Sequence, residues 1–245
     1  MDFELIAEAF PQLIAAFDET LLLTASSLSL GFVLAVLIAL MRLSKSTLLS
    51  NFAIGYVYIF RSTPLLVQMF LIYYGSGQFR EALEGAGLWF LFRDSWFCAI
   101  LALTLNTAAY GSEIIRGGIQ SVPWGQVEAA RSIGMSGPQL YWRIIFPIAL
   151  RQALPAYGNE IILIVKATSL ASTITILEIT GIAKKIIAST YQPIEVFLIA
   201  GSIYLLINFV VTRAIAWLEW WLNPNLRNDD LQEAVEAPRD AVQIR

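Results

Sequence analysis

Apolar residues in this chain gather into long runs rather than alternating with polar ones. Five runs stand out, at about 20–41, 52–74, 96–115, 148–176 and 194–217. Each is close to the roughly 20 apolar residues that carry a helix across a bilayer. The pattern predicts an all-α membrane protein, with five spans over residues 20–222. Within residues 1–19, Leu5, Ile6, Ala9 and Phe10 recur at helical spacing, but Pro11 interrupts them. That predicts a short surface segment. Arg42 and Lys45 end the first span, and Arg61 and Pro64 lie inside the second. Residues 75–95 are rich in glycine and polar groups and predict a loop. Residues 223–245 are charged and predict a polar tail without a packed core.

Composition narrows the function. The chain has 245 residues, 57% hydrophobic and 14% charged, against about 25% charged in soluble domains. Mean hydropathy is +0.65. Lipid is therefore the first partner. The net charge of -3 comes without a basic patch, so no nucleic-acid footprint appears. Cys98 is the single cysteine and there is no histidine. An internal disulfide, a Ser–His mechanism and thiolate or imidazole metal sites are all excluded. The acidic start (Asp2, Glu4, Glu8) is unlike the basic start of a signal peptide.

Five spans put the termini on opposite sides, and the positive-inside rule orients them. With the N-terminus outside, the inner segments hold Arg42, Lys45, Arg116, Arg131, Arg143, Arg151 and Arg213, with further arginines in the tail. The outer segments hold only Arg80, Arg93, Lys184 and Lys185. The long polar segment at 116–147 is thus cytoplasmic.

That segment has more structure than a chain reversal needs. Pro123 suits the first turn of a helix. Val127, Ala130 and Ile133 repeat every third residue and give one apolar stripe. Gly134 suits a left-handed helix end. Ser136 suits the cap of a second helix, with Pro138 in its first turn. Leu140, Tyr141 and Ile144 give that helix an apolar face, and Pro147 marks the start of the fourth span. The pattern predicts helix, turn and helix across the membrane surface, either as a docking element or as a plain interfacial hairpin.

The run from Glu128 to Pro147, EAARSIGMSGPQLYWRIIFP, resembles the EAA motif of inner-membrane permease subunits of binding-protein-dependent ABC importers. Other segments resemble the same family in order. Arg61-Ser62-Thr63-Pro64-Leu65-Leu66-Val67-Gln68 is similar to its R-G-T-P-L-L-V-Q segment, with Ser62 in place of glycine. Ala109-Tyr110 through Glu113, Arg116-Gly117-Gly118-Ile119 and Ser121-Val122-Pro123 before Gly125-Gln126 resemble the polar amino acid uptake branch. Lys166-Ala167-Thr168-Ser169-Leu170 resembles its K-x-T-S-L segment. Leu154–Glu160 and Ser189–Pro193 are similar to permeases for histidine, lysine, arginine and ornithine, and for octopine and nopaline.

The resemblance implies a type I ABC importer permease fold and a bacterial inner-membrane location. It implies two permease subunits, the second a different sister chain. It also implies an ATPase dimer in the cytoplasm and a periplasmic substrate-binding protein. Glu128, Ala129, Ala130, Gly134, Met135 and Ser136 would then couple to the ATPase. No G-x-x-x-x-G-K-[ST] phosphate loop occurs in the chain, so ATP and Mg would be bound by the partner and no cofactor by this chain. A secondary transporter working alone would explain the spans but not the ordered loop.

Ionisable groups inside a membrane are costly and default to functional candidates. Glu160 falls near mid-depth of the fourth span, after Pro155 and Gly158, which suit a helix break at a cavity. It either takes a cationic group of the substrate or pairs with Arg61 or Lys166. Arg61 suits a substrate carboxylate. Asn106 and Glu113 are seven apart on one helix face. Asn106 suits the path, and Glu113 suits a pair with Arg116. Lys166, Thr168 and Ser169 complete the path candidates. Trp89, Trp96, Trp217, Trp220 and Trp221 suit interfacial belts.

Overall fold

The computed structural model describes residues 3–223, and every regular element among them is helical. The predicted tail at 223–245 lies outside the described residues except for Asn223. The elements are α1 (Phe3–Ala15), α2 (Phe17–Leu43), α3 (Thr47–Ser62), α4 (Leu65–Ser76), α5 (Arg80–Gly85) and α6 (Trp89–Phe92). After these come α7 (Ser95–Gln120), α8 (Trp124–Ser132), α9 (Gly137–Leu140), α10 (Phe146–Ala167), α11 (Ile179–Thr190) and α12 (Pro193–Leu222). Three stretches are long and apolar enough to cross a membrane: Glu4–Leu43, Ser95–Gln120 and Pro193–Leu222. Two bent helix pairs bring the number of spans to five if each counts as one.

α7 is the hub. It is less apolar than the other two long helices yet more buried. Its polar residues Thr104, Asn106, Thr107 and Ser112 turn inward: Asn106 and Thr107 bond to neighbouring elements and Ser112 to its own helix, while the Thr104 hydroxyl keeps no partner among the described residues. Lipid would not satisfy them, so their burial fixes α7 at the centre. α2, α4 and α10 pack around it. Leu23 of α2, Met69 of α4 and Ile164 of α10 meet Ala99, Ala102 and Leu103 of α7 in one core.

Several elements depart from the sequence pattern. The described part of residues 1–19 is not a surface segment. Leu5, Ala9, Leu13 and Ala16 form a stripe buried against Ile179, Ala183, Val196 and Ile203 of α11 and α12. Pro11 sits inside α1 without ending it. The second span is broken, with 100° between Thr47–Ser62 and Leu65–Gly85. Thr63 is extended, as the residue before a proline is obliged to be. Residues 75–95 are not a plain loop but hold α5, α6 and a short 3-10 turn. The helix of the fourth span does not break at Pro155 or Gly158. It runs to Ala167 and continues as a 3-10 helix over Thr168–Ile174. Thr175 then adopts a left-handed φ of 73° and the chain turns into α11.

Candidate functional site

The segment predicted to be cytoplasmic is two helices on a tight corner. α8 ends in a Schellman motif: Met135 N–H donates to Ala130 C=O at 3.1 Å and Gly134 N–H to Arg131 C=O at 2.9 Å. Gly134 holds φ +80°, a conformation that a Cβ would strain. Ser136 begins α9, and Gln139 Oε1 accepts the Ser136 N–H at 3.1 Å. α9 does not stop at Pro147. A π-helical turn over Tyr141–Ile145 carries it straight into α10. Pro147 lacks an N–H and crowds the carbonyl four residues back, and a wider turn accommodates both effects. Val127, Ala130 and Leu140 are buried together with Met135 against them. Glu128, Ala129 and Ser136 face outward.

Within the membrane, the break between α3 and α4 frees backbone carbonyls that need donors. Gln68 Nε2 donates to Phe60 C=O at 2.9 Å and to Thr63 C=O at 3.1 Å. Asn106 Nδ2 donates to Gln68 Oε1 at 3.0 Å and to Phe60 C=O at 3.3 Å. Asn106 thus pins the corner to α7, with its amide hydrogens already committed. Gln68 was legible only as the end of its motif.

Nearly two turns of polar side chains along α7, Thr107, Tyr110 and Glu113, assemble the rest. Thr107 Oγ1 donates to Glu160 Oε1 at 2.8 Å, and Glu160 is only 4% exposed. Neither Arg61 nor Lys166 forms an ion pair with it, so the pairing alternative is not what the structure holds. Glu160 Oε2 keeps no hydrogen bond among the described residues. The Arg61 guanidinium lies 5.1 Å from the ring centroid of Tyr110. Arg61 and Tyr110 line a cavity of about 400 Å³ that continues to Arg42 and Glu113. There Glu113 joins Arg116 at 2.7 Å and also Arg42 at 3.0 Å. The second pair ties the cytoplasmic end of α2 to α7 and has no signal in local spacing.

Lys166, Thr168 and Ser169 lie in a different place, at the end of α10. Thr168 and Ser169 donate to Val165 and Lys166 carbonyls at 2.7 Å each, closing the 3-10 turn. Lys166 and Ser169 line a cavity of about 360 Å³ with Thr180 and Tyr204. Beside it lies Glu178, fully buried and absent from the sequence-derived candidates. Its carboxylate caps α11 by accepting Gly181 N–H at 2.9 Å and Thr180 N–H at 3.0 Å. The Tyr204 hydroxyl donates to it at 2.6 Å, so α11 and α12 are locked together. A lone charge in the apolar run from Ile174 to Ile182 was the available signal.

Comparison with known proteins bears on the family and the fold. Residues 30–223 match the family described as binding-protein-dependent transport system inner membrane component. The nopaline transport system permease protein NocM of Agrobacterium fabrum is 66% identical, covering 93% of this chain and 94% of that one. The octopine transport system permease protein OccM of Rhizobium meliloti is 52% identical, covering 90% and 89%. The histidine/lysine/arginine/ornithine permease HisM of Salmonella typhimurium is 46% identical, covering 78% and 82%. Among solved structures, an amino acid ABC transporter crystallised with histidines superposes with a TM-score of 0.79 at 34% identity, covering 89% of this chain and 98% of that one. The methionine transporter MetNI shares the fold, with a TM-score of 0.70 at 18% identity and coverage of 86% and 97%. The helical bundle with its broken spans and cornered cytoplasmic helix is therefore a type I ABC importer permease fold. The chain belongs to the inner-membrane permease family of binding-protein-dependent ABC importers.

Proposed function

We propose that this permease moves polar amino acids with a cationic end, basic amino acids or opines, across the inner membrane by alternating access. The observation that carries the substrate reading is Glu160. It is buried at the heart of the bundle, held at one oxygen by Thr107, and forms no ion pair among the described residues. A buried carboxylate in that condition suits an ammonium or guanidinium group, which would offset the cost of its burial. Arg61 suits the carboxylate end of the same molecule. Relatives named for nopaline, octopine and arginine transport support the same class.

The energy enters through α8. Glu128 and Ala129, with Gly134, Met135 and Ser136 at the corner, dock into a cleft of a separate ATPase dimer, which holds ATP and Mg; Ala130, which the sequence placed with them, is instead buried on the underside of α8 against Leu140. Because α9 runs continuously into α10, a push on the corner reaches the span that carries Glu160. A second permease, a sister chain, completes the path, and a periplasmic binding protein delivers substrate.

Uptake into proteoliposomes with radiolabelled arginine, octopine, nopaline and glutamine tests this. Arginine or an opine should be transported, and Glu160→Gln should lower that uptake by about tenfold or more, equivalent to about 1.4 kcal/mol. Transport of glutamine alone would refute the substrate reading.

A further inference from the structure

The outward face of α8 carries a stripe that the fold itself does not use. Trp124, Glu128 and Arg131 recur at spacings of four and three, so they stack along one helix face. All three are exposed, Trp124 at 62%. The opposite face, Val127 and Ala130, is buried against Leu140. The Trp124 indole N–H donates to Glu128 Oε1 at 2.8 Å. The same ring carries the Arg131 guanidinium 5.5 Å from its centroid. Glu128 and Arg131 stand three apart, a spacing at which opposite charges pair on a helix. Among the described residues they form no ion pair, because the indole engages each of them instead.

Two further apolar side chains of the same segment are also exposed. Ile133 is 77% exposed and Trp142 is 64% exposed. Exposed apolar groups rimmed by charge mark partner surfaces, and Trp and Arg are enriched among residues that dominate binding energy. The Schellman corner at Gly134 fixes the helix beneath the stripe, so the three side chains are presented from a rigid base.

We propose that Trp124 is a positioning residue of the cytoplasmic docking surface, holding Glu128 and Arg131 apart so that each meets an opposite charge across the interface. The partner that this surface fits is a groove with an apolar pocket for the indole, a basic group facing Glu128 and an acidic group facing Arg131. The proposal rests on α8 being the ATPase-docking helix. It adds that Trp124 sets the charge geometry by which this permease meets its own ATPase.

The test is direct binding of the purified ATP-binding subunit of the importer to the full permease in nanodiscs. Trp124→Phe keeps the ring and its cation contact but loses the N–H, whereas Trp124→Ala loses both. Trp124→Phe should weaken binding about tenfold, as expected for a hydrogen bond to a charged group. Trp124→Ala should weaken it about thirtyfold or more, as at a binding hot spot. In a Glu128→Ala background, Trp124→Phe should cause no further loss, because no carboxylate remains to be held. Circular dichroism of each variant should match the parent. Equal binding by parent, Trp124→Phe and Trp124→Ala, or additive losses in the double variant, would overturn the proposal. Failure of the parent permease to bind the ATP-binding subunit would overturn the docking reading instead.

Discussion

Glu160 is presented by a chain of two contacts, and each can be broken separately. Thr107 holds one carboxylate oxygen. Thr107 itself is packed against Gly31 of α2, where an added Cβ would run into the Thr107 methyl group. Gly31 is therefore glycine because α2 and α7 approach closely at the level of the site. Thr107→Val keeps the shape but removes the donor. Substrate affinity in uptake assays should shift by about tenfold, the usual scale for a bond to a charged group. Gly31→Leu should overpack the seam and cost about 1–3 kcal/mol, read as a lower unfolding temperature in detergent together with lost uptake. An unchanged unfolding temperature would mean that the seam can relax. Glu160 was legible in the sequence because a lone carboxylate in an apolar run is conspicuous. Thr107 and Gly31 were not, since hydroxyls and glycines are common in spans and only the packing shows which of them meet.

Two corners decide what the helices can transmit. At the cytoplasmic corner, Gly134 takes φ +80° and α8 closes on it. Gly134→Val places a β-branched side chain in left-handed backbone, at about 1–2 kcal/mol. Membrane insertion should survive, and substrate-stimulated ATPase activity of the assembled complex should fall at least severalfold. Normal stimulation in that variant would remove the corner from the coupling path. The corner in the membrane, between Ser62 and Leu65, depends on Gln68 and Asn106 to satisfy the freed carbonyls. Gln68→Leu should destabilise the permease by about 1–3 kcal/mol, the cost of stranded buried acceptors; thermal unfolding would show it. The Gly134 corner could be read from local signals, because caps and turns are written within a few residues. The Pro64 bend could not. Proline announces a break, but its 100° angle is set by Gln68 and Asn106, which lie 5 to 46 residues from the carbonyls they hold.

At the scale of the molecule, hydrophobic run length predicted five spans, which the helices match when each bent pair counts as one. It misjudged the N-terminal helix, which joins the core through Leu5, Ala9 and Leu13. A stripe of that kind looks the same in sequence whether it faces lipid or protein. It also missed Glu178, whose partners Tyr204 and Gly181 come from two different helices. The layout that results has a clear logic. Glu160 is buried within the bundle, Arg61 and Glu113 line a polar cavity, and α9 and α10 form one continuous helix to the corner proposed as the docking surface.

The central claim is that substrate movement through this chain is driven by a separate ATPase gripping α8. The most direct test is uptake of radiolabelled arginine and octopine by proteoliposomes holding the permease pair, with and without the ATP-binding subunit and ATP. Uptake that needs both the subunit and ATP, and that collapses in Gly134→Val, is the expected result. Uptake by the permeases alone, driven by an ion gradient and indifferent to ATP, would contradict the account.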